Sequence, residues 1–91
     1  MSVDTRWDKA VQDAITELQS RKGAWVGLCE LRFHPRLVGT TREAQDRHLR
    51  RMSHEGKVVL APESNQKALT RAARDAAVWI GNEDNHLIRI R

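Results

Sequence analysis

The stretch from Thr40 to Gly56, Thr-Thr-Arg-Glu-Ala-Gln-Asp-Arg-His-Leu-Arg-Arg-Met-Ser-His-Glu-Gly, carries its own start signal, its own stop signal and a helical separation of apolar from basic residues. No other segment limits the fold so strongly. Thr40 and Glu43 have the S/T-x-x-E spacing of a capping box, in which the hydroxyl satisfies an unpaired amide and the carboxylate reaches back to the cap. Gly56 supplies the C-terminal stop. At about 100° per residue, Gln45, Leu49 and Met52 share one edge, while Glu43, Arg47, Arg50, Arg51 and His54 lie on or near the other. The spacing predicts a helix over about 41–55 that packs on one side and can meet an anion on the other.

The segments around it are shorter but readable. Trp7, Val11, Ala14, Ile15 and Leu18 recur at three- and four-residue intervals, which predicts an amphipathic helix over about 5–22, capped by Asp4 or Thr5 and ended by Gly23. Ala24 to Val26 is a short extended piece, and a brief helix over about 27–33 follows, closed by Pro35, which disfavours helical geometry at His34. After Gly56, residues 57–61 are β-branched and apolar enough for a strand, with 86–90 as partner, where Ile88 and Ile90 alternate with Leu87 and Arg89. Between the two, Thr70 caps a predicted helix over about 71–79 that stops at Gly81, and Asn82 to Asn85 reads as a turn. The fold class expected is α+β, with a single domain over 1–91, since a chain of this size buries somewhat over ~60% of its unfolded surface in one core.

Sixteen Lys and Arg against 12 Asp and Glu give a formal charge of +4, which favours an anionic partner. Arginine dominates the basic residues, and guanidinium forks suit bidentate contact with phosphate or guanine. Cys29 is the only cysteine, so no intrachain disulfide is expected. The start Met-Ser-Val-Asp lacks the charged and apolar regions of a signal peptide, and no apolar run approaches the ~20 residues of a membrane span. A soluble cytoplasmic protein without membrane contact is expected.

The order helix, short strand, helix, helix, strand, insert, strand resembles the winged helix-turn-helix family, as does the run Glu-Gly-Lys-Val-Val-Leu at Glu55 to Leu60, which looks like the usual exit from the third helix into the wing. The resemblance covers about Thr5 to Ile90. It implies a three-helix core with a two- or three-stranded β-wing, here carrying a short helical insert, and a third helix that enters the major groove. Two features depart from the family pattern. The link from Phe33 to Thr40 is longer than a compact helix-turn-helix turn, and the wing is interrupted by the segment around Arg71 to Trp79.

On that resemblance, the expected function is sequence-specific binding of double-stranded DNA as a small transcriptional regulator, acting as a homodimer with the first helix or the insert as its contact. Arg47, Arg50 and His54 are the candidate groove contacts, with Arg51 on the same stripe, and Thr41 and Arg42 the candidate phosphate contacts near the positive end of the helix. Lys67 and Arg71, with Arg74, form a second basic group in the insert. Each group also has a plain reading as a solvated face, since Glu43, Asp46 and Glu55 stand at pairing distance along the helix. The alternative function is a protein-interaction module of a larger assembly, with the insert and Trp79 as its contact surface.

Other chemistry has little support. His48 and His54 are six apart and point to different helical faces, and Cys29 with His34 lacks a second clustered pair, so neither a metal nor a cofactor is expected. No Gly-rich phosphate loop, H-E-x-x-H or nucleophile elbow occurs, and Cys29 sits among apolar neighbours, so no enzyme is expected. Trp7 and Trp25 read as core residues. Trp79 is placed on the insert helix beside Ala72, Ala73, Ala76 and Ala77, a small-residue face that covers either the domain's own sheet or a second copy.

Overall fold

A computed structural model describes residues 2–91. The first helix, α1, spans Val3–Leu18 and buries Val11, Ala14 and Ile15. It starts earlier than its periodicity suggests because the Ser2 hydroxyl accepts the Thr5 amide at 3.1 Å and acts as the cap. It also ends earlier, since Gln19 is already extended and residues 19–22 offer no apolar side chain to hold another turn against the core. Gly23, at φ +82°, then turns the chain rather than terminating the helix.

Strand β1 is Val26–Gly27 and leads directly into the single-turn-and-a-half helix α2, Leu28–Arg32, whose Leu28 and Leu31 are fully buried. The long link that follows is not loose. Leu37 is 3% exposed and plugs into the core, while the amides of Leu37 and Val38 both donate to the His34 carbonyl.

Helix α3 spans Arg42–His54 and buries Gln45, His48, Leu49 and Met52. Its cap is Thr41, whose hydroxyl accepts the Ala44 amide at 3.1 Å, so the expected Thr40–Glu43 box does not form. Thr40 is engaged elsewhere: its hydroxyl donates to the Leu37 carbonyl and accepts from Gln45 Nε2 at 2.9 Å, which fastens the link to the helix. At the other end Gly56 takes φ +77°, its amide donating to the Ser53 carbonyl and that of Lys57 to the Met52 carbonyl, the paired bonds of a Schellman stop.

Strand β2, Val58–Ala61, pairs antiparallel with the last strand, β5, Leu87–Ile90, from Val58 opposite Ile90 to Ala61 opposite Leu87. The other edge of β5 takes β1, with Val26 opposite Ile88, so the sheet order is β1-β5-β2. Ile88 lies at its centre and is fully buried, with α1 packed on β5, α3 on β2, and Val58, Met52, Ile15 and Leu28 in the same cluster.

The segment between β2 and β5 corrects the helical insert expected over 71–79. After one 3-10 turn at Gln66–Ala68, helix α4 covers only Arg71–Asp75, capped by Thr70. Val78–Ile80 is strand β3 and Glu83–Asn85 is strand β4, joined through Gly81 and Asn82, both at φ 64°. Two successive positive φ values make the mirror-image turn that suits a twisted hairpin, and Val-Trp-Ile is a poor helix and a good strand. The buried Asn85 amide closes the hairpin by donating to the carbonyls of Val78, Ile80 and Glu83.

The tryptophans also depart from expectation. Trp7 packs on the core edge, but Trp25 is 43% exposed and Trp79 54%. Val26 faces inward from β1, so strand alternation turns Trp25 outward, where the Arg89 guanidinium lies 5.1 Å from its ring centroid. The result is an α+β domain of four helices and a small antiparallel sheet with an added two-stranded hairpin. Among the described residues, no helix is long and apolar enough to cross a membrane.

Candidate nucleic-acid interface

Helix α3 is oriented by what its inner flank binds. Asp46 accepts from Arg32 at 2.7 Å and from Arg42 at 3.2 Å, and Arg32 also reaches the Gln45 side chain and the Ala76 carbonyl. Arg32 is nearly enclosed, and burial pulls its guanidinium pKa down while Asp46 opposes the shift. At the C-terminal half, Arg51 contacts Asp8 on α1 at 2.7 Å and Glu55 at 2.7 Å, and Lys57 adds a second bond to Asp8. His48 is stacked on Trp7 with centroids 4.4 Å apart, and its Nδ1 faces the Arg51 guanidinium at 3.1 Å. Burial lowers the His48 pKa, and the charges of Arg51 and Arg47 push in the same direction. These contacts fix the helix in position and rotation.

The eight residues singled out from the sequence therefore divide. Arg47, Arg50 and His54 are exposed at three- and four-residue spacing on the solvent face of α3. Arg47 and His54 make no side-chain hydrogen bond or ion pair among the described residues, whereas Arg50 donates through Nε to the Trp79 carbonyl at 3.1 Å. Arg51 does not lie with them: its side chain is 19% exposed and turned to α1. Arg42 is spent on structure, since it holds Asp46 and also donates to the carbonyls of Asp75 and Ala77 at 2.7 and 2.6 Å. Thr41 is exposed, but its hydroxyl is occupied as the cap. Lys67 and Arg71 are exposed on the insert, which packs through α4 on α2, and Arg71 stands 3.9 Å from Asp75.

Sequence reasoning missed the neighbour of this face. Arg42 and Arg50 tie the alternate carbonyls of Asp75, Ala77 and Trp79 to α3, so the start of β3 runs beside the helix and brings Trp79 to its flank. Trp79 is paired across the hairpin with Asp84, and Ile80 with Glu83, so two exposed carboxylates share that edge. Gly81-Asn82 between Val-Trp-Ile and Glu-Asp-Asn was the available signal. The surface thus joins three basic or titratable side chains, one half-exposed indole and an acidic hairpin tip. Searches among family models, curated proteins and solved structures return no match to this chain.

Proposed function

We propose that the protein binds double-stranded DNA as a small winged helix-turn-helix regulator, with α3 in the major groove and Arg47, Arg50 and His54 toward the bases. The observation that carries this reading is the exposed, regularly spaced trio, with Arg47 and His54 unpaired among the described residues and Arg50 held by one backbone carbonyl, on the solvent face of a helix whose opposite face is buried. The order α1, β1, α2, α3, β2, β5 with sheet order β1-β5-β2 supports it, being compatible with a winged-helix arrangement. Arg42 and Arg51 serve instead to hold α3 at its angle.

The test is selection of binding sites from random duplex DNA by the purified protein at two salt concentrations. Each phosphate neutralised contributes about −0.9 to the slope of log affinity against log salt, so a steep slope with an enriched motif is expected. A motif with two-fold symmetry reports two copies acting together. Arg47→Ala and Arg50→Ala should each cost about 1–3 kcal/mol at the preferred site and relax its sequence. Unchanged affinity for the selected site and an unchanged sequence preference after these changes would overturn the reading.

A second reading has its own observation. Trp79 is half exposed beside Glu83 and Asp84, an arrangement suited to a protein partner rather than to phosphate. Absence of DNA binding at low salt would favour a protein-interaction module using that hairpin.

A further inference from the structure

The β1-β5-β2 sheet has a second face. Val26, Ile88 and Val58 point into the core, with α1 packed on β5 and α3 on β2, so the alternate residues point outward. Register places Arg89 beside Val59 on that outer side, and Leu87 between Gly27 and Ala61. Trp25, one residue before β1, joins the first row through the Arg89 guanidinium, 5.1 Å from its ring centroid. Since the buried flank of α3 meets the inner side of the sheet, the flank carrying Arg47 is directed away from this surface.

Its charge has one sign. Arg21 and Lys22 in the turn before Trp25, Arg89 and Arg91 have no carboxylate partner among the described residues, and none of the outward sheet positions is acidic. A second copy presenting the same face would be repelled, and an anionic occupant is favoured. The indole narrows the choice. Trp25 is half exposed and also borders an open crevice of about 240 Å³ with Leu18, Gly27 and, at its rim, Ser20 and Glu30. That is below the ~300 Å³ where sites for larger molecules begin and suits one planar ring, whose amino edge Ser20 and Glu30 can accept from. In a duplex both faces of a base are stacked on its neighbours, so a base offered to an indole is unpaired. We propose that this face binds single-stranded nucleic acid, one base stacking on Trp25 and the phosphates lying against Arg21, Lys22, Arg89 and Arg91. The site is separate from α3 and does not rest on its reading of duplex DNA.

The test titrates the full chain with a mixed-sequence DNA strand of about 12 nucleotides, within the range of single-strand site sizes. Its RNA counterpart, its duplex, and vesicles of equal parts phosphatidylserine and phosphatidylcholine are run beside it. Binding is read from amide and indole ¹H–¹⁵N signals, the three tryptophans giving three indole signals. At least one strand, DNA or RNA, should move the Trp25 indole and the amides of residues 21, 22, 27 and 89 saturably. Trp25→Ala should weaken that strand by roughly tenfold or more, and Trp25→Phe, which keeps a stacking face, much less. Arg89→Ala with Arg91→Ala, both outside the core, should flatten the slope of log affinity against log salt by about 1.4, at about 0.7 per phosphate of a single strand. Arg47→Ala with Arg50→Ala should leave the strand's affinity essentially unchanged and act on duplex binding alone, so failure of this proposal and failure of the α3 reading are told apart. No saturable movement of the Trp25 indole by either strand, movement centred on α3, or an equal response of that indole to the duplex or to the vesicles would overturn the proposal.

Discussion

Asp8 joins α1 to the end of α3, and its chemistry sets how the domain responds to acid. Burial would raise its carboxyl pKa, but hydrogen bonds from Lys57 and Arg51 outweigh burial and hold the group below the usual 3.8. The folded pKa is therefore the lower one, so the stabilisation is complete above the unfolded value and is lost as pH falls through the folded value. Asp8→Asn should remove roughly 1–2 kcal/mol at pH 7 and flatten the loss of stability below about pH 4. His48 acts in a separate window. Its folded pKa lies below 6.5, chiefly through burial, so the unfolded chain binds the extra proton and stability declines as pH drops from 7 through 6.5 toward the folded value. Urea unfolding across pH 5–8 should show that decline, and His48→Gln should abolish it. A decline unchanged by the substitution would assign the effect to another histidine. Neither group could be read from the sequence: Asp8 and His48 look like members of polar stripes, and only the crossing of α1 over α3 brings Asp8 to Arg51 and His48 to Trp7.

At the scale of elements, the position of a helix was legible and its last residue was not. Periodicity located α1 and α3 because burial of Val11, Ile15, Leu49 and Met52 enforces it. Caps depend on one hydrogen bond, and Thr40 and Thr41 offer the same hydroxyl one residue apart. The choice falls to Thr41 because Leu37 is drawn into the core and claims the Thr40 hydroxyl with its carbonyl. Thr41→Asp should hold or raise thermal stability, since aspartate caps at least as well as threonine and favours the positive helix end. Thr40→Asp should lower it, because a carboxylate cannot donate to the Leu37 carbonyl. The stop is simpler. A Cβ on Gly56 would come no nearer than 4.0 Å to Arg91, so Gly56→Ala meets open space and its expected cost of about 1–2 kcal/mol arises from left-handed backbone alone. In the insert, by contrast, alanine-rich composition suggested helix through Trp79, and the two-residue turn at Gly81-Asn82 overrode it, since a hairpin buries Val78 and satisfies Asn85 at once.

The whole molecule places an acidic hairpin beside its basic helix face, and this arrangement separates the two functional readings. Element order outside the insert and the pairing of the strand after α3 with the last strand were visible in the sequence, because apolar alternation and Gly56 mark them locally. The flank of α3 was not visible, since Arg42 and Arg50 reach it across 29 to 35 residues of chain through backbone carbonyls that carry no sequence signature. If α3 lies in a major groove, Glu83 and Asp84 are held near the phosphates and repel them over a screening distance of about 10 Å at 0.1 M salt. Glu83→Gln with Asp84→Asn should then tighten DNA binding at low salt, mainly through faster association, and the gain should fade as salt is raised. Arg47→Ala has the opposite sign and also relaxes sequence preference, so the two effects are separable in one titration. If the hairpin instead docks a protein, neutralising its carboxylates leaves DNA affinity unchanged while weakening capture of that partner. Affinities of the two variants and the parent, measured on one duplex across a salt series, therefore decide which side of α3 faces the nucleic acid.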